Sequence, residues 1–170
     1  TIEPTGSPAS IVVPSNTVFT STVDGVTYKF HSTDTVTFDR SDVGVYTQLV
    51  DIREGDRVQE SYTVSSVNPV SYLLSNQNSD TTSLAVTVQQ SVSNTAVRVY
   101  QLADDITRID GDSAVYFLQE SNDGTYQVEF GDNVIGKKPI DGNIVKLNYN
   151  VVNGPAVNGT STFSGPATIA

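Results

Sequence analysis

The sequence predicts an all-β fold of mainly antiparallel sheets, with tight Asp-Gly hairpins and little helix. Apolar residues recur at every second position along most of the 170 residues, and many of them are β-branched or aromatic. Asp-Gly pairs interrupt these runs, and such pairs favour the turns that join antiparallel strands. Helical patterns are scarce, and short strands joined by turns are typical of an all-β fold. The pairs lie at positions 24–25, 123–124 and 141–142.

The first predicted hairpin turns at Asp24-Gly25, because this dipeptide tolerates the positive φ angles of a type I′ turn. A two-residue turn fixes which residues of the two strands lie opposite each other, and here it gathers mostly apolar side chains on one face. The expected cross-strand pairs are Phe19 with Phe30, Ser21 with Tyr28 and Val23 with Val26.

A second two-residue hairpin is predicted at Asp123-Gly124, for the same reason. Its register also gathers an apolar face, although the fit is less regular. The expected pairs are Phe117 with Phe130 and Gln119 with Val128. The side chains expected on the apolar face are Phe117, Tyr126, Val128 and Phe130.

The remaining elements follow from alternation or from its absence. Segment 71–83 is predicted to be a long polar connection with a short helix at 72–74, and segment 103–110 to form one or two helical turns. Clean alternation of apolar and polar residues predicts half-buried strands elsewhere. The segments with this pattern are 58–64, 84–88 and 145–151.

We expect one β-rich module over residues 11–160, with a sub-boundary near 101–112. Residues 1–10 are predicted to be a linker, and residues 161–170 a linker or a frayed end. The chain starts with Thr1 and contains no methionine, so we expect a fragment of a longer polypeptide.

The composition argues against several classes of function. Lys and Arg number 9 against 19 Asp and Glu, which gives a formal net charge of -10. Phosphate backbones and anionic membranes attract cationic surfaces, so neither nucleic acid nor a membrane is an expected partner. There is no cysteine, which excludes disulfides, thiolate metal sites and cysteine nucleophiles.

The sequence predicts no catalytic residues. His31 is the single histidine, and no nucleophile motif accompanies it, so we expect a surface or hydrogen-bonded structural side chain. Carboxylates cluster at Asp104-Asp105 and at Asp110 with Asp112, yet neither cluster completes the ligand pattern of a calcium loop. Solvated turns are the expected role there, with a weak calcium site as the alternative. We therefore expect no metal, no cofactor and no small-molecule substrate.

The stretch "FGDNVIGKKPIDG", residues 130–142, predicts a strand end, a turn, an apolar tip and a second turn. Gly131 and Gly136 permit backbone angles that are closed to other residues. Pro139 lacks a backbone donor, so regular strand pairing is expected to stop there. The stretch therefore acts through its shape and its contacts and needs no catalysis.

The apolar tip of this stretch has two interpretations. Val134 and Ile135 either fold back and cap the core of their own sheet, or they face a partner subunit. Because loop residues of this kind often cap a core, the first interpretation is preferred.

Nine residues in this part of the chain form a spaced motif: Phe130, Gly131, Asp132, Val134, Ile135, Gly136, Pro139, Gly142 and Tyr149. The motif resembles the signature of the baseplate J-like proteins, the wedge subunits of contractile phage tails and related injection machines. Asn133 and Val157 stand where that family has glycine, although asparagine also tolerates a left-handed conformation. Segments 13–30, 61–88 and 115–132 are similar to the family as well, so the resemblance covers most of the chain.

What the resemblance implies is structural. Two copies of such a wedge subunit associate with a different wedge protein, and copies from neighbouring wedges close a ring around the tail hub. The resemblance therefore implies a virion component of the tail baseplate that is assembled in the host cytoplasm. Its implied partners are further copies of itself and other wedge subunits, and it implies no enzymatic activity.

Two other functions remain open from the sequence. The first is a carbohydrate-binding or adhesive β module of a surface protein, although there is no tryptophan to provide a platform for sugar rings. The second is a glycoside hydrolase domain, for which neither a motif nor a defined pair of carboxylates is present.

Overall fold

The computed structural model describes residues 6–166, and it is all-β as the sequence predicts. Within these residues the strands are joined by turns and by two short 3-10 helices, at Ile106–Arg108 and Gly154–Val157. The strands are β1 (Ser10–Val13), β2 (Val18–Val23), β3 (Val26–Ser32), β4 (Val36–Asp39), β5 (Ile52–Glu54), β6 (Asp56–Thr63), β7 (Tyr72–Leu74), β8 (Ser79–Gln89), β9 (Val97–Leu102), β10 (Val115–Glu120), β11 (Tyr126–Phe130) and β12 (Ile144–Val151).

The chain divides into two compact units. The first runs to Asp56 and resumes at Asn153, and the second comprises residues 57–152. Segment 101–112, where the sequence predicts a sub-boundary, lies inside the second unit. No helix within residues 6–166 is long and apolar enough to cross a membrane.

The first unit contains a three-stranded antiparallel sheet, β2-β3-β5, and an antiparallel pair of β1 with β4. The β2–β3 hairpin turns at Asp24 and Gly25, whose φ angles are 50° and 82°, as a type I′ turn requires. The predicted register is confirmed, because a two-residue turn leaves no freedom in the pairing. The observed pairs include Phe19 with Phe30, Ser21 with Tyr28 and Val23 with Val26.

The second unit is one seven-stranded sheet in the order β6-β12-β8-β9-β10-β11-β7, with β9 and β10 parallel. Its two edge strands approach each other, so the sheet nearly closes on itself. The Tyr62 hydroxyl of β6 lies 2.7 Å from the Leu73 carbonyl oxygen of β7, and the Ser75 N–H donates to Glu60 at 3.1 Å. The enclosed core contains Leu74, Val86, Val88, Tyr100, Tyr116, Val128, Val145, Leu147 and Tyr149.

The predicted register of the second hairpin is wrong by one residue. The Ser121 N–H donates to the Thr125 carbonyl at 2.8 Å, and the Gly124 N–H donates to the Ser121 carbonyl at 3.0 Å, so the loop has three residues. Gly124 takes the left-handed position, with φ 79°, that such loops require. A shift of one residue moves Phe117 to the opposite face, where it pairs with Glu129. The observed pairs include Tyr116 with Phe130 and Leu118 with Val128.

Two of the smaller predictions have different outcomes. Residues 72–74 are strand β7 rather than a helix, because pairing with β11 supplies their backbone hydrogen bonds. Segment 103–110 does contain a helical turn, which is capped where Asp105 Oδ1 accepts from the Thr107 N–H at 3.0 Å. The three alternating segments correspond to β6, β8 and β12, as predicted, except that β6 ends at Thr63, one residue short of the predicted end.

Candidate functional site

Three loops of the second unit lie at the same end of the seven-stranded sheet. The strand directions place them there, since β8 ends opposite the start of both β12 and β9. Hydrogen bonds join the loops: Ser66 Oγ donates to Asp141 Oδ2 at 2.6 Å, and Asn143 Nδ2 donates to the Gln90 carbonyl at 2.8 Å. We call this part of the unit the loop end, and it consists of residues 64–71, 90–96 and 131–143.

Asp132 organises the turn that follows β11. Its Oδ1 accepts hydrogen bonds from the N–H groups of Ile135 at 3.0 Å and Val134 at 2.9 Å, and these donors hold the pKa of the carboxyl below its ordinary value. Asn133 adopts a left-handed conformation, with φ 71°, and its N–H donates to the Gly136 carbonyl at 2.9 Å. An asparagine can therefore hold the position where the baseplate J-like motif has glycine.

Two glycines allow the turn to close, each for a different reason. A side chain at Gly131 would collide with the carbonyl oxygens of Ile135 and Gly136, so only hydrogen fits there. Gly136 has φ 84°, and a Cβ built on it would lie 2.9 Å from Cγ2 of Val115. Both glycines lie in the turn where the sequence predicts them.

Segment 110–113 holds this turn through backbone hydrogen bonds and an ion pair. The Gly136 N–H donates to the Asp110 carbonyl at 2.9 Å, and the Lys137 N–H donates to the Ser113 carbonyl at 2.8 Å. Lys137 Nζ also pairs with Asp112 Oδ1 at 2.8 Å. The two aspartates are exposed turn residues, as expected, but they have this additional structural role. Within residues 6–166 no group of three or more His, Asp or Glu side chains is placed to hold a metal ion.

The core interpretation of the apolar tip is wrong. The side chain of Val134 is 72% exposed and that of Ile135 is 41% exposed. Phe130, at the start of the stretch, packs against the core instead, with its ring edge-on to those of Tyr72 and Tyr100 at centroid distances of 5.2 Å and 5.1 Å. Phe130 itself is partly rather than fully buried.

The other motif residues hold the loop end in place. Pro139 is buried, and Gly142 has φ 85° and donates from its N–H to the Val64 carbonyl at 3.0 Å. Tyr149 is 1% exposed and lies in the core. Most of the motif is therefore structural, and Val134 and Ile135 are its apolar residues that face solvent.

The two ends of the sheet differ in polarity. At the opposite end, the two loops of residues 75–78 and 121–125 contain only polar residues and glycine. The loop end instead exposes large apolar side chains from all three of its loops. These side chains are Val67, Val70, Val92, Val134, Ile135 and Ile140.

Residues 137–141 form a ridge between two clefts, and Lys138 lines both. The larger cleft has a volume of about 360 Å³, and the smaller one of about 160 Å³. The larger is lined by Val64, Ser65, Ser66, Pro69, Val70, Tyr72, Phe130, Gly131, Lys138, Pro139 and Asp141. The smaller is lined by Val88, Gln90, Arg98, Tyr100, Lys137, Lys138, Ile140 and Asn143.

A partly buried polar cluster around Glu60 was not predicted from the sequence. Its carboxylate accepts hydrogen bonds from the hydroxyls of Tyr62 and Tyr149, each at 2.7 Å. Burial alone would raise the pKa of Glu60, but these bonds and the Ser75 N–H lower it. Burial and the bond to Glu60 raise the pKa of both tyrosines to about 12. The sequence feature that could have indicated this cluster is Glu60 itself, a charged residue at an inward-facing position of the alternating segment 58–64.

His31 does not match its expected role. It is 9% exposed, and neither ring nitrogen has a hydrogen-bond partner among the described residues. β3 is the central strand of its sheet. There His31 lies between Val18 of β2 and Arg53 of β5, so it is neither a surface nor a hydrogen-bonded histidine.

No protein-family model matches the chain, and a search of the curated proteins returns no match. The geometry of the loop end is therefore the basis for a functional proposal.

Proposed function

We propose that this chain is a non-enzymatic assembly module that docks onto protein subunits through its loop end. One observation carries the proposal: six exposed large apolar side chains lie in the three loops at one end of the second unit, while loops 75–78 and 121–125 at the opposite end contain only polar residues and glycine. Apolar surface of this kind on a soluble domain marks an interaction site, because leaving it in water is unfavourable.

The backbone of the loop end is suited to docking because many internal contacts hold it. The Asp132 turn, the support from segment 110–113 and the Ser66–Asp141 bonds fix the loops before any partner arrives. A loop that is already ordered loses less conformational entropy on binding, so more of the apolar burial contributes to affinity.

The motif suggests where such a module works. Its resemblance to the baseplate J-like proteins supports a wedge subunit of a contractile phage tail, located in the virion. The partners are then further copies of the chain and other wedge subunits. The exposed Val134 and Ile135 agree with this proposal, because they are the motif residues that are free to meet a partner.

Changing Val134 and Ile140 to serine tests the proposal. Both side chains are mostly exposed, at 72% and 68%, so the free energy of unfolding of the variant should lie within about 0.5 kcal/mol of the wild-type value. Its self-association in sedimentation experiments should weaken, because burying each apolar side chain contributes roughly 1.5–3 kcal/mol.

The matched control changes Val43 and Leu49 to serine in the first unit, where they are 84% and 91% exposed. This control should associate like the wild type. Equal weakening of both variants would reject the loop end as the docking surface. If the wild type stays monomeric at about 1 mM, its free energy of self-association is weaker than about -4.1 kcal/mol, and self-association is rejected.

The larger cleft favours sugar binding as a second candidate. Its volume of about 360 Å³ is in the range of small-molecule sites, and it combines the rings of Tyr72 and Phe130 with polar Ser66 and Asp141. A glycan array followed by titration would decide, since assembly alone predicts no saturable binding. Loss of sugar binding in Tyr72→Ala, with the fold retained, would favour this candidate.

A further inference from the structure

The smaller cleft of the loop end concentrates positive charge in an acidic chain. Arg98, Lys137 and Lys138 all line it, although the whole sequence has only 9 Lys and Arg against 19 Asp and Glu. None of the residues that line this cleft is acidic. Such an arrangement attracts an anionic group locally, even though the chain as a whole repels polyanions at longer range.

The charges of the cleft are only partly neutralised from within the chain. Lys137 pairs with Asp112, whose side chain is 89% exposed and therefore weakly held. Among residues 6–166, neither Arg98 nor Lys138 forms an ion pair. Lys138 helps to lower the pKa of the Asp132 carboxyl, so its charge is partly offset, whereas Arg98 is available to a carboxylate from outside.

The floor and rim of the cleft are apolar. Val88 and Tyr100 are 7% and 4% exposed and form the floor, while Ile140 is 68% exposed at the rim. The volume of about 160 Å³ holds roughly five water molecules at about 30 Å³ each, which is the space of one side chain. The apolar floor suits the methylene groups of an acidic side chain, and the cations suit its carboxylate. Ile140 at the rim suits an apolar residue next to that acidic residue in the partner.

We propose that this cleft binds a glutamate or aspartate side chain from an acidic segment of the docking partner, in which apolar residues flank the carboxylate. This inference rests on the proposed function and specifies the chemistry of the partner. Arg98 provides a planar donor group that can bind a carboxylate through two parallel hydrogen bonds, and Lys138 adds a second charge.

Titration with a defined peptide tests the inference. The probe is acetyl-Leu-Glu-Leu-Glu-Leu-amide, and its control has glutamine in place of each glutamate. Backbone amide shifts in the nuclear magnetic resonance spectrum should change around Arg98, Lys137 and Lys138. The glutamine peptide should bind about tenfold more weakly, and added salt should weaken the glutamate peptide.

Variants of the chain complete the test. Arg98→Gln should bind the glutamate peptide about tenfold more weakly, whereas Arg108→Gln, which removes an equal charge elsewhere in the same unit, should bind like the wild type. Arg98 is exposed, so unchanged melting should show that Arg98→Gln is folded. Equal binding of both peptides, no binding of the glutamate peptide, or tighter binding of inorganic phosphate would overturn the inference.

The same variants separate this inference from the proposed function. If the Val134/Ile140 serine variant loses self-association while Arg98→Gln retains it and still binds the glutamate peptide as tightly as the wild type does, the loop end docks through apolar contacts alone. The acidic-segment inference is then overturned, and the assembly proposal stands. If neither variant changes association, the assembly proposal is rejected as well.

Discussion

Replacing Gly136 with alanine perturbs a tightly constrained position of the loop end. Its φ of 84° lies in the left-handed region, which costs an L-residue about 1–2 kcal/mol. The new Cβ would also lie 2.9 Å from Cγ2 of Val115, so Val115 must move within its strand. Such overpacking costs about 1–3 kcal/mol. The free energy of unfolding of the second unit should therefore fall by about 2–5 kcal/mol.

Gly142 provides a matched control. Its φ is 85°, nearly the same, but a Cβ there would meet nothing within 4 Å. Gly142→Ala should therefore show only the conformational cost of about 1–2 kcal/mol. The difference between the two variants isolates the contact with Val115.

Thermal unfolding followed by circular dichroism measures both variants. For a unit of this size, 1 kcal/mol corresponds to a shift in Tm of about 4–8 °C. Gly136→Ala should melt about 10 °C or more below the wild type, and Gly142→Ala should lose roughly half as much. Equal shifts would refute the role of Val115. No shift in either would refute the left-handed turns themselves.

Three further predictions concern titratable groups. Because the folded-state pKa of Glu60 is lowered from 4.5, its stabilisation is present above that pH and is lost as pH falls through the folded value. Glu60→Gln should flatten the decline of the unfolding free energy below about pH 4.5, and an unchanged slope would contradict this. Because the pKa of Tyr149 is raised from 10.0 to about 12, its stabilisation is present below pH 10 and is lost between pH 10 and 12. In an ultraviolet titration, Tyr149→Phe should lose the absorbance change of one phenol that ionises near pH 12. Loss of a phenol that ionises near pH 10 would instead contradict the hydrogen bond to Glu60. Asp105 and Asp110 already accept hydrogen bonds from their own turns, so added calcium should leave Tm unchanged, and a rise of several degrees would assign them a site.

The sequence predicted the fold class and those elements whose signals are local. The β2–β3 register follows from Asp24-Gly25 alone, because a type I′ turn allows one pairing of its flanking strands. The strands β6, β8 and β12 follow from alternation, because one face of each is buried in the core. The positions of Gly131 and Gly136 in a turn also follow from their sequence context.

The tertiary structure alone decided which distant residues meet. The register of β10 with β11 depends on a three-residue loop, and the helix expected at 72–74 is a strand because β11 lies beside it. Val134 and Ile135 are exposed, while Phe130 of the same stretch packs against rings from two other strands.

The loop end itself is also a product of the fold. Ser66 and Asp141 are 75 residues apart in sequence, and Glu60 and Tyr149 are 89 apart, yet each pair is hydrogen-bonded. Arg98 lines the same cleft as Lys137 and Lys138 because β9 begins beside the loop that follows β11. Local sequence patterns specify turns and buried faces through backbone conformation and hydrophobicity. Contacts of this range depend on how the whole sheet closes, and no local pattern encodes that closure.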